Sequence, residues 1–169
     1  LHTRATAQME NGDFAAARSD LDGVLSWSED LELIDPLRNA AFYNAALTSL
    51  ELREYGRAKR EGESALRGYT ATGDSSSMAT LWHLLARTAG EAGQSQTAIQ
   101  NFSRAISLLI GQETLPSQSA EVSLANLTPL ADLLFDRGEE LTRQQQYEQA
   151  LDDYKFSFQL IDRVRQDLS

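Results

Sequence analysis

Few side chains in this sequence could act as a nucleophile, a general base or a metal ligand. The 169-residue chain has two histidines, His2 and His83, and no cysteine. It contains no HExxH zinc motif, no glycine-rich phosphate loop and no calcium-binding loop. His83 follows Trp82 without a serine or cysteine nucleophile motif, so we expect a groove or core imidazole and not a general base. We therefore predict no enzymatic activity, no metal site and no cofactor.

The charged side chains have the pattern of solvated helix faces. Acidic pairs such as Asp152 and Asp153 are ordinary on exposed helices. The one local concentration of basic residues is interleaved with acidic ones; it comprises Arg53, Arg57, Lys59, Arg60 and Arg67, with Glu51, Glu54, Glu61 and Glu63 between them. Opposite charges three or four residues apart lie on the same side of a helix and pair. We predict that this pairing accounts for the cluster.

Overall composition limits the classes of partner. The net charge of −10 and the pI of about 4.6 oppose binding to nucleic acid. No apolar stretch approaches the roughly 18 to 20 residues that cross a bilayer, and the first residues carry no signal-peptide core. We therefore expect no membrane association and a cytoplasmic location. The chain begins at Leu1, from which we expect either an excised piece of a longer protein or a processed product.

A spacing of twelve between small residues occurs four times. Each pair is a small residue followed twelve positions later by an alanine: Ala5/Ala17, Ala46/Ala58, Ala86/Ala98 and Gly138/Ala150. Apolar residues within each unit are three or four apart, which is typical of helix faces, and a gap of twelve spans two helices and a tight turn. Small residues are expected where two helices cross closely. The sequence predicts an all-α chain of four helical hairpins that form one domain over residues 1–169.

Capping and turn residues predict the helix boundaries. We place helices at 1–10, 14–29, 36–52, 55–70, 76–91, 95–110, 129–144 and 147–167, in repeats near 1–31, 36–72, 76–111 and 129–167. Asp35–Pro36 and Thr128–Pro129 predict helix starts, and the Ser75–Ser77 run is expected to cap the fifth helix. Arg53–Glu54 and Gln145–Gln146 must turn without glycine. Residues 111–128 are an insertion, interpreted as a solvated connector, with partner contact as the alternative.

Two stretches carry a resemblance to a known family. LWHLLARTAGEAGQSQTAIQNFSRAISL and LLFDRGEELTRQQQYEQALDDYKFSFQL resemble the tetratricopeptide repeat in their order of apolar, small, turn and alanine positions. Unit spacings near 40 resemble the longer repeats of kinesin light chains and of bacterial signalling proteins, some of which carry a caspase-like CHAT protease domain. The Sel1-type repeat is a weaker alternative. The resemblance implies a right-handed superhelix that binds a protein or peptide in its concave groove.

The resemblance also implies which residues line that groove. They lie on the first helix of each hairpin and mix aromatic, amide and cationic groups: Tyr43, Asn44, Leu47, His83, Arg87 and Phe135. Arg87 is interpreted either as pairing with an acidic ligand group or as a solvated arginine. Asn44 is interpreted either as binding the partner's backbone or as a surface amide. The lysine and arginine clamp of the chaperone-binding members is missing, so we expect no carboxylate-clamp co-chaperone.

The last predicted helix carries two apolar stripes. Tyr154, Phe158 and Ile161 are expected to face their own unit. Phe156, Leu160 and Val164 form a second stripe that four hairpins alone would not cover, so we predict that it docks a following helix, a missing domain or a neighbouring chain. The leading interpretation of function is a scaffold that binds a peptide or protein in the groove. The alternative is a regulatory or sensor segment of a larger effector, for example a CHAT protease, that docks through its last helix.

Overall fold

The computed structural model describes residues 1–30, 35–111 and 124–167. Within these ranges the chain forms eight α-helices and no strand, which confirms the predicted all-α fold. They are α1 (His2–Glu10), α2 (Phe14–Asp30), α3 (Asp35–Glu51), α4 (Tyr55–Thr72), α5 (Ser75–Glu91), α6 (Ser95–Ile110), α7 (Leu124–Arg143) and α8 (Tyr147–Asp167). Successive pairs form four helical hairpins. We call the first helix of each hairpin its A helix and the second its B helix.

The hairpins fall into two compact units, Leu1–Ser77 and Met78–Ser169. In the first unit α2 packs against α3, and in the second α6 packs against α7, so that each B helix contacts the A helix that follows it within the unit. The core of the second unit includes Phe102 and Ile106 of α6 together with Leu130 and Leu134 of α7. The expected single domain over residues 1–169 stays a prediction.

The small residues of the twelve-residue spacing are buried in the hairpins, as predicted. Six of the eight small residues have no exposed surface: Ala5, Ala17, Ala46, Ala58, Ala86 and Ala98. Gly138 is also buried, and a Cβ atom there would lie 2.7 Å from Cε1 of Tyr154 on α8. Because such a contact is shorter than atoms tolerate, a larger residue at position 138 would have to displace the Tyr154 ring from its place against α7.

The start of α7 was predicted wrongly. The helix begins at Leu124, so Thr128 is not its N-cap, and Pro129 lies inside it, in the second turn. Leu127 and Leu130 are both fully buried. Burial of side chains before and after the proline stabilises a turn that proline weakens by removing one backbone hydrogen bond. Residues 112–123 of the predicted insertion lie outside the described residues.

The cap of α5 also differs from the prediction. Asp74, and not the Ser75–Ser77 run, caps the helix: the backbone N–H of Ser77 donates to Oδ1 of Asp74 at 3.0 Å, and its hydroxyl donates to Oδ2 at 2.7 Å. These hydrogen bonds lower the pKa of the Asp74 carboxyl. A carboxylate caps well because it accepts from N–H groups that the first turn leaves unpaired. At the start of α3, the side chain of Asp35 lies outside the described ones.

The four tight turns inside the hairpins share one backbone conformation. Gly12, Arg53, Gly93 and Gln145 each stand five residues before the second small residue of their unit, and φ is 76°, 60°, 76° and 59° respectively. Positive φ favours glycine, because a Cβ atom then crowds the neighbouring carbonyl oxygen. The prediction that two of these turns form without glycine is confirmed, and those two turns carry backbone strain.

Gln145→Gly is therefore expected to raise the free energy of unfolding by about 0.5 to 1 kcal/mol. The gain is the strain of roughly 1 to 2 kcal/mol for a left-handed residue, reduced by the greater freedom of glycine in the unfolded chain. Urea-induced unfolding followed by circular dichroism measures it. Gln144→Gly, at a neighbouring residue outside the positive-φ set, is the matched control and should be destabilising. Equal effects of the two substitutions would contradict the interpretation.

A buried ion pair joins the two helices of the fourth hairpin. Nε and Nη2 of Arg137 on α7 donate to the two carboxylate oxygens of Asp153 on α8 at 2.7 and 2.6 Å. Arg4 and Asp20 occupy the same repeat positions in the first hairpin and form the same bidentate pair. Hydrogen bonds from Arg4 lower the pKa of the Asp20 carboxyl. This ion pair was not predicted from the sequence, although an arginine just before the small residue and an aspartate sixteen residues later signal it.

A second network links the first two hairpins. The guanidinium of Arg18 on α2 donates to Oε2 of Glu61 and to the Ser49 hydroxyl, both at 3.0 Å, and also pairs with Asp22. Nε of Arg57 lies 3.0 Å from Oε1 of Glu61, four residues away on α4. The predicted pairing along helix faces is thus confirmed for Arg57 and Glu61. The bonds from Arg18 to another hairpin could not be predicted from helical spacing.

Candidate functional site

All six residues predicted to line a groove lie on A helices. Tyr43, Asn44 and Leu47 are on α3 and are half-buried. In the second unit, His83 is half-buried and Arg87 is exposed on α5, and Phe135 on α7 is 43% exposed. Each unit therefore holds one set of these residues.

In the first unit, the A helices are joined by a histidine. Nε2 of His2 on α1 lies 3.3 Å from Nδ2 of Asn44 on α3. The Asn44 amide therefore contacts the preceding A helix, an arrangement that differs from an amide bonded to its own helix. Binding of a partner's backbone by Asn44 stays a prediction.

In the second unit, the other histidine makes the equivalent contact. Nε2 of His83 on α5 lies 2.7 Å from Oδ2 of Asp136 on α7, and its ring lies 5.8 Å from that of Phe102. His2 and His83 each stand three residues before a small site, and each contacts the residue two before the small site of the next hairpin. The two histidines thus orient neighbouring A helices, which agrees with the expectation of a groove or core imidazole at His83.

An open cleft of about 110 Å³ lies between the A helices of the second unit. Ala86 and Gly90 of α5 and Phe102 of α6 contribute its apolar part. Its charged lining consists of four carboxylates and two guanidinium groups: Glu91, Asp136, Glu139 and Glu140, with Arg87 and Arg143. The Asp136 carboxylate of this lining also faces His83.

Glu140 is the least expected residue of the cleft. It is only 3% exposed, and its Oε2 accepts a hydrogen bond from Arg143 at 2.8 Å. Its Oε1 is buried and receives no hydrogen bond from any residue that the structure describes. Glu140 packs onto Gly90, where an added Cβ would lie 3.0 Å from Oε2. Glu140 was not predicted from the sequence, because nothing in a Glu–Glu pair on a helix shows which carboxylate is buried.

The cleft brings together only part of the predicted groove. Arg87 is in its wall, and His83 reaches it through Asp136. Phe135 is not among the lining residues; its ring instead lies 5.4 Å from that of Tyr154 on α8. The side chain of Arg87 stands among the acidic groups of this lining, and its pairing with an acidic ligand group stays a prediction.

The stripe of Phe156, Leu160 and Val164 on α8 is covered within its own unit. Leu160 is 5% exposed and belongs to the core of the second unit, and Phe156 and Val164 are partly buried against that core. The four hairpins therefore cover these residues, contrary to the sequence interpretation, because α8 turns this side toward the core of its unit. On α8 the large exposed apolar side chains are instead those of Tyr147, Leu151 and Phe158. Phe158 had been expected to face its own unit.

The described residues contain no cluster of three or more side chains that could hold a metal ion. Among the helices that the structure describes, none is both long enough and apolar enough to cross a bilayer.

Solved structures with a similar fold cover nearly the whole chain. BtubC from P. vanneervenii matches with a TM-score of 0.73 at 15% identity over 98% of this chain, and the chain spans only 60% of BtubC. A MamA RS-1 ArsTM double mutant matches with a TM-score of 0.66 at 16% identity, over 95% of this chain and 73% of that one. A putative kinesin light chain from Podosopora anserina, with nearly identical TPR-like repeats, matches with a TM-score of 0.59 at 19% identity, over 97% and 91%.

No protein-family model matches the sequence, and no curated protein matches it either. At identities of 15 to 19%, the structural matches establish the fold alone. They confirm the predicted arrangement of helical hairpins and the resemblance to kinesin light chain repeats at the level of the fold.

Proposed function

Because the chain has the fold of tetratricopeptide-like repeat proteins, we propose that it is an interaction module that binds a protein or peptide partner on its A-helix surfaces. The observation that carries the proposal is the cleft between α5 and α7, which is open and lined by charged side chains. Convergent polar groups around a concave site are typical of binding sites. A repeat fold provides the rigid helices that hold them in place.

Exposed side chains beside the cleft support the same function. Phe135, 43% exposed, and Arg87 are residue types that contribute strongly to protein interfaces. In the first unit, Tyr43 and Leu47 add partly accessible apolar surface on α3. We propose that these residues contact the partner, with Asn44 and His83 positioned beside them.

A displayed library of random peptides tests the function. Peptides selected on the wild-type chain are expected to bind at least about tenfold more weakly to Tyr43→Ala/Asn44→Ala or to Arg87→Ala/Phe135→Ala, because truncation of a residue at the energetic centre of an interface costs about 2 kcal/mol or more. Fluorescence anisotropy measures the affinity, and circular dichroism verifies that helicity is retained.

The matched control changes exposed residues on B helices. Lys59→Ala/Gln100→Ala removes two exposed side chains from α4 and α6 and should leave peptide affinity unchanged. The proposal fails if the wild-type chain enriches no peptide, or if both A-helix variants bind the selected peptides as tightly as the wild type.

Exposed apolar side chains on α8 favour a second candidate, the segment of a larger effector that docks through its last helix. Phe158 is 61% exposed, whereas Ile106, at the same repeat position in α6, is 1% exposed within the core shared with α7. A docked helix would cover Phe158 as α7 covers Ile106. Peptides that bind at Phe158 are expected to bind the Phe158→Ser variant more weakly than the wild type and to bind the A-helix variants as tightly as the wild type. A CHAT protease as the effector stays a prediction.

A further inference from the structure

The Glu140 carboxylate is unusual because it is buried and only one of its two oxygens is hydrogen-bonded within the part of the chain that the structure describes. Its Oε2 is paired with Arg143, whose own side chain is 56% exposed, while Oε1 is buried without a hydrogen-bond donor among the described residues. A buried charge that is only partly compensated destabilises a fold. Such a group persists where function requires it.

The fold itself does not require a carboxylate at this position. Thr48 occupies the equivalent place in the first unit, two residues after the small site of the A helix, and it is fully buried. Its hydroxyl donates to the backbone carbonyl of Asn44 at 2.8 Å, so it needs no further partner. Met9 stands where the second unit has Gly90, and Gly90 is the residue that leaves room for the Glu140 side chain. The second unit thus departs from the first at two facing positions, and both changes accommodate a carboxylate.

The charges around Glu140 indicate what its free oxygen would bind. Four carboxylates and two guanidinium groups line the cleft, which leaves an excess of negative charge next to a buried acceptor. An acceptor in such surroundings is best matched by a positively charged donor. The volume of about 110 Å³ suits the end of one side chain and not a larger ligand.

We propose that the cleft between α5 and α7 binds an arginine or lysine side chain of the protein partner, which donates a hydrogen bond to Oε1 of Glu140. This inference rests on the proposed function and specifies the partner's chemistry at one site. Asp136 and Glu139 lie beside the incoming cation, and the exposed Arg143 shifts to admit it. Phe102 packs against the aliphatic part of that side chain.

The test uses displayed peptide libraries with a fixed central residue between random positions, in four versions: arginine, lysine, glutamate and leucine. The wild-type chain is expected to enrich the arginine or lysine versions over the other two. Glu140→Thr, which installs the residue of the first unit, and Glu140→Gln should each weaken binding of the enriched peptides by at least about tenfold, as for loss of one partner in a buried charge pair. Their Tm should equal or exceed that of the wild type, which excludes unfolding as the cause.

Glu63→Gln is the matched control, because it removes one negative charge from α4, in the other unit, and leaves the cleft unchanged. Enrichment without preference for a basic residue, or unchanged affinity in Glu140→Thr, would overturn the inference and leave the proposed function intact. An equal loss in Glu63→Gln would assign the preference to net charge and would also overturn it. If no library version is enriched on the wild-type chain, the proposed function itself fails.

Discussion

Replacing Arg137 with methionine is expected to lower the free energy of unfolding by about 3 to 5 kcal/mol. The Arg137 and Asp153 side chains are only 9% and 8% exposed, and two hydrogen bonds join them. Methionine keeps much of the side-chain volume, but it leaves the Asp153 carboxylate buried without a cation. Urea-induced unfolding at neutral pH, followed by circular dichroism, measures the loss.

The first hairpin provides the control for this prediction. Arg4 stands at the same repeat position and pairs with Asp20, yet its side chain is 64% exposed. Arg4→Met should therefore cost less, because an ion pair whose cation is largely exposed is screened by water and contributes less to stability, although Asp20 is itself only 9% exposed. The double variant Arg137→Met/Asp153→Leu should regain most of the lost stability, since it leaves no buried charge behind. If Arg137→Met lowers the free energy of unfolding no more than Arg4→Met does, the importance of the buried Arg137–Asp153 ion pair is contradicted.

Arg18→Met is the second substitution with a large expected effect, a loss of about 3 kcal/mol, the lower end for removing one side of a buried charge pair, because Arg57 still pairs with Glu61. The Arg18 and Glu61 side chains are 9% and 10% exposed. Arg18 also donates to the carbonyl oxygen of Ala45 at 3.2 Å and thereby joins α2 to α3. Unfolding in urea measures the change. Lys59→Met, which breaks an exposed pair with Glu63, is the control and should change stability by less than about 1 kcal/mol.

Arg18→Met also changes the dependence of stability on pH. Burial raises the pKa of the Asp22 carboxyl, but hydrogen bonds from Arg18 and Arg57 outweigh it, so that the pKa lies below its usual value. A lowered pKa in the folded state stabilises the protein above the unfolded value of about 3.9, and this contribution is lost as the pH falls through the folded pKa. In Arg18→Met the acid-induced loss should be smaller than in the wild type. An unchanged pH profile would show that Arg18 does not control Asp22.

These ion pairs bear on function through the A helices. Arg137 is on α7, three residues before Glu140, and its pairing with Asp153 fixes α7 against α8. The His83–Asp136 contact then orients α7 relative to α5, on the opposite side of the cleft. A binding site between two helices keeps its geometry only if both helices are held firmly. The Arg137–Asp153 ion pair and the His83–Asp136 contact therefore both help to hold the walls of the α5–α7 cleft in place.

The sequence could assign the proposed partner surface only at the level of the helices. Tyr43, Asn44, Leu47, His83, Arg87 and Phe135 were chosen by repeat position, and all six lie on A helices. Glu140 was missed, because its burial depends on Gly90 in another helix. The stripe of Phe156, Leu160 and Val164 was predicted to need a further partner, but it packs within its own unit, as does Ile161 of the other stripe. Apolar spacing alone does not show which of these side chains meet the core.

The sequence by itself determined the helices, their pairing into hairpins and the burial of the small residues, because these depend on apolar spacing and turn residues within about 30 neighbouring positions. Tertiary structure alone decided the contact of His83 with Asp136, the links of Arg18 to the second hairpin, and the burial of Glu140 with one oxygen unpaired. The partners in those contacts come from separate helices. Their meeting depends on how whole helices rotate and pack against one another, which no local spacing records.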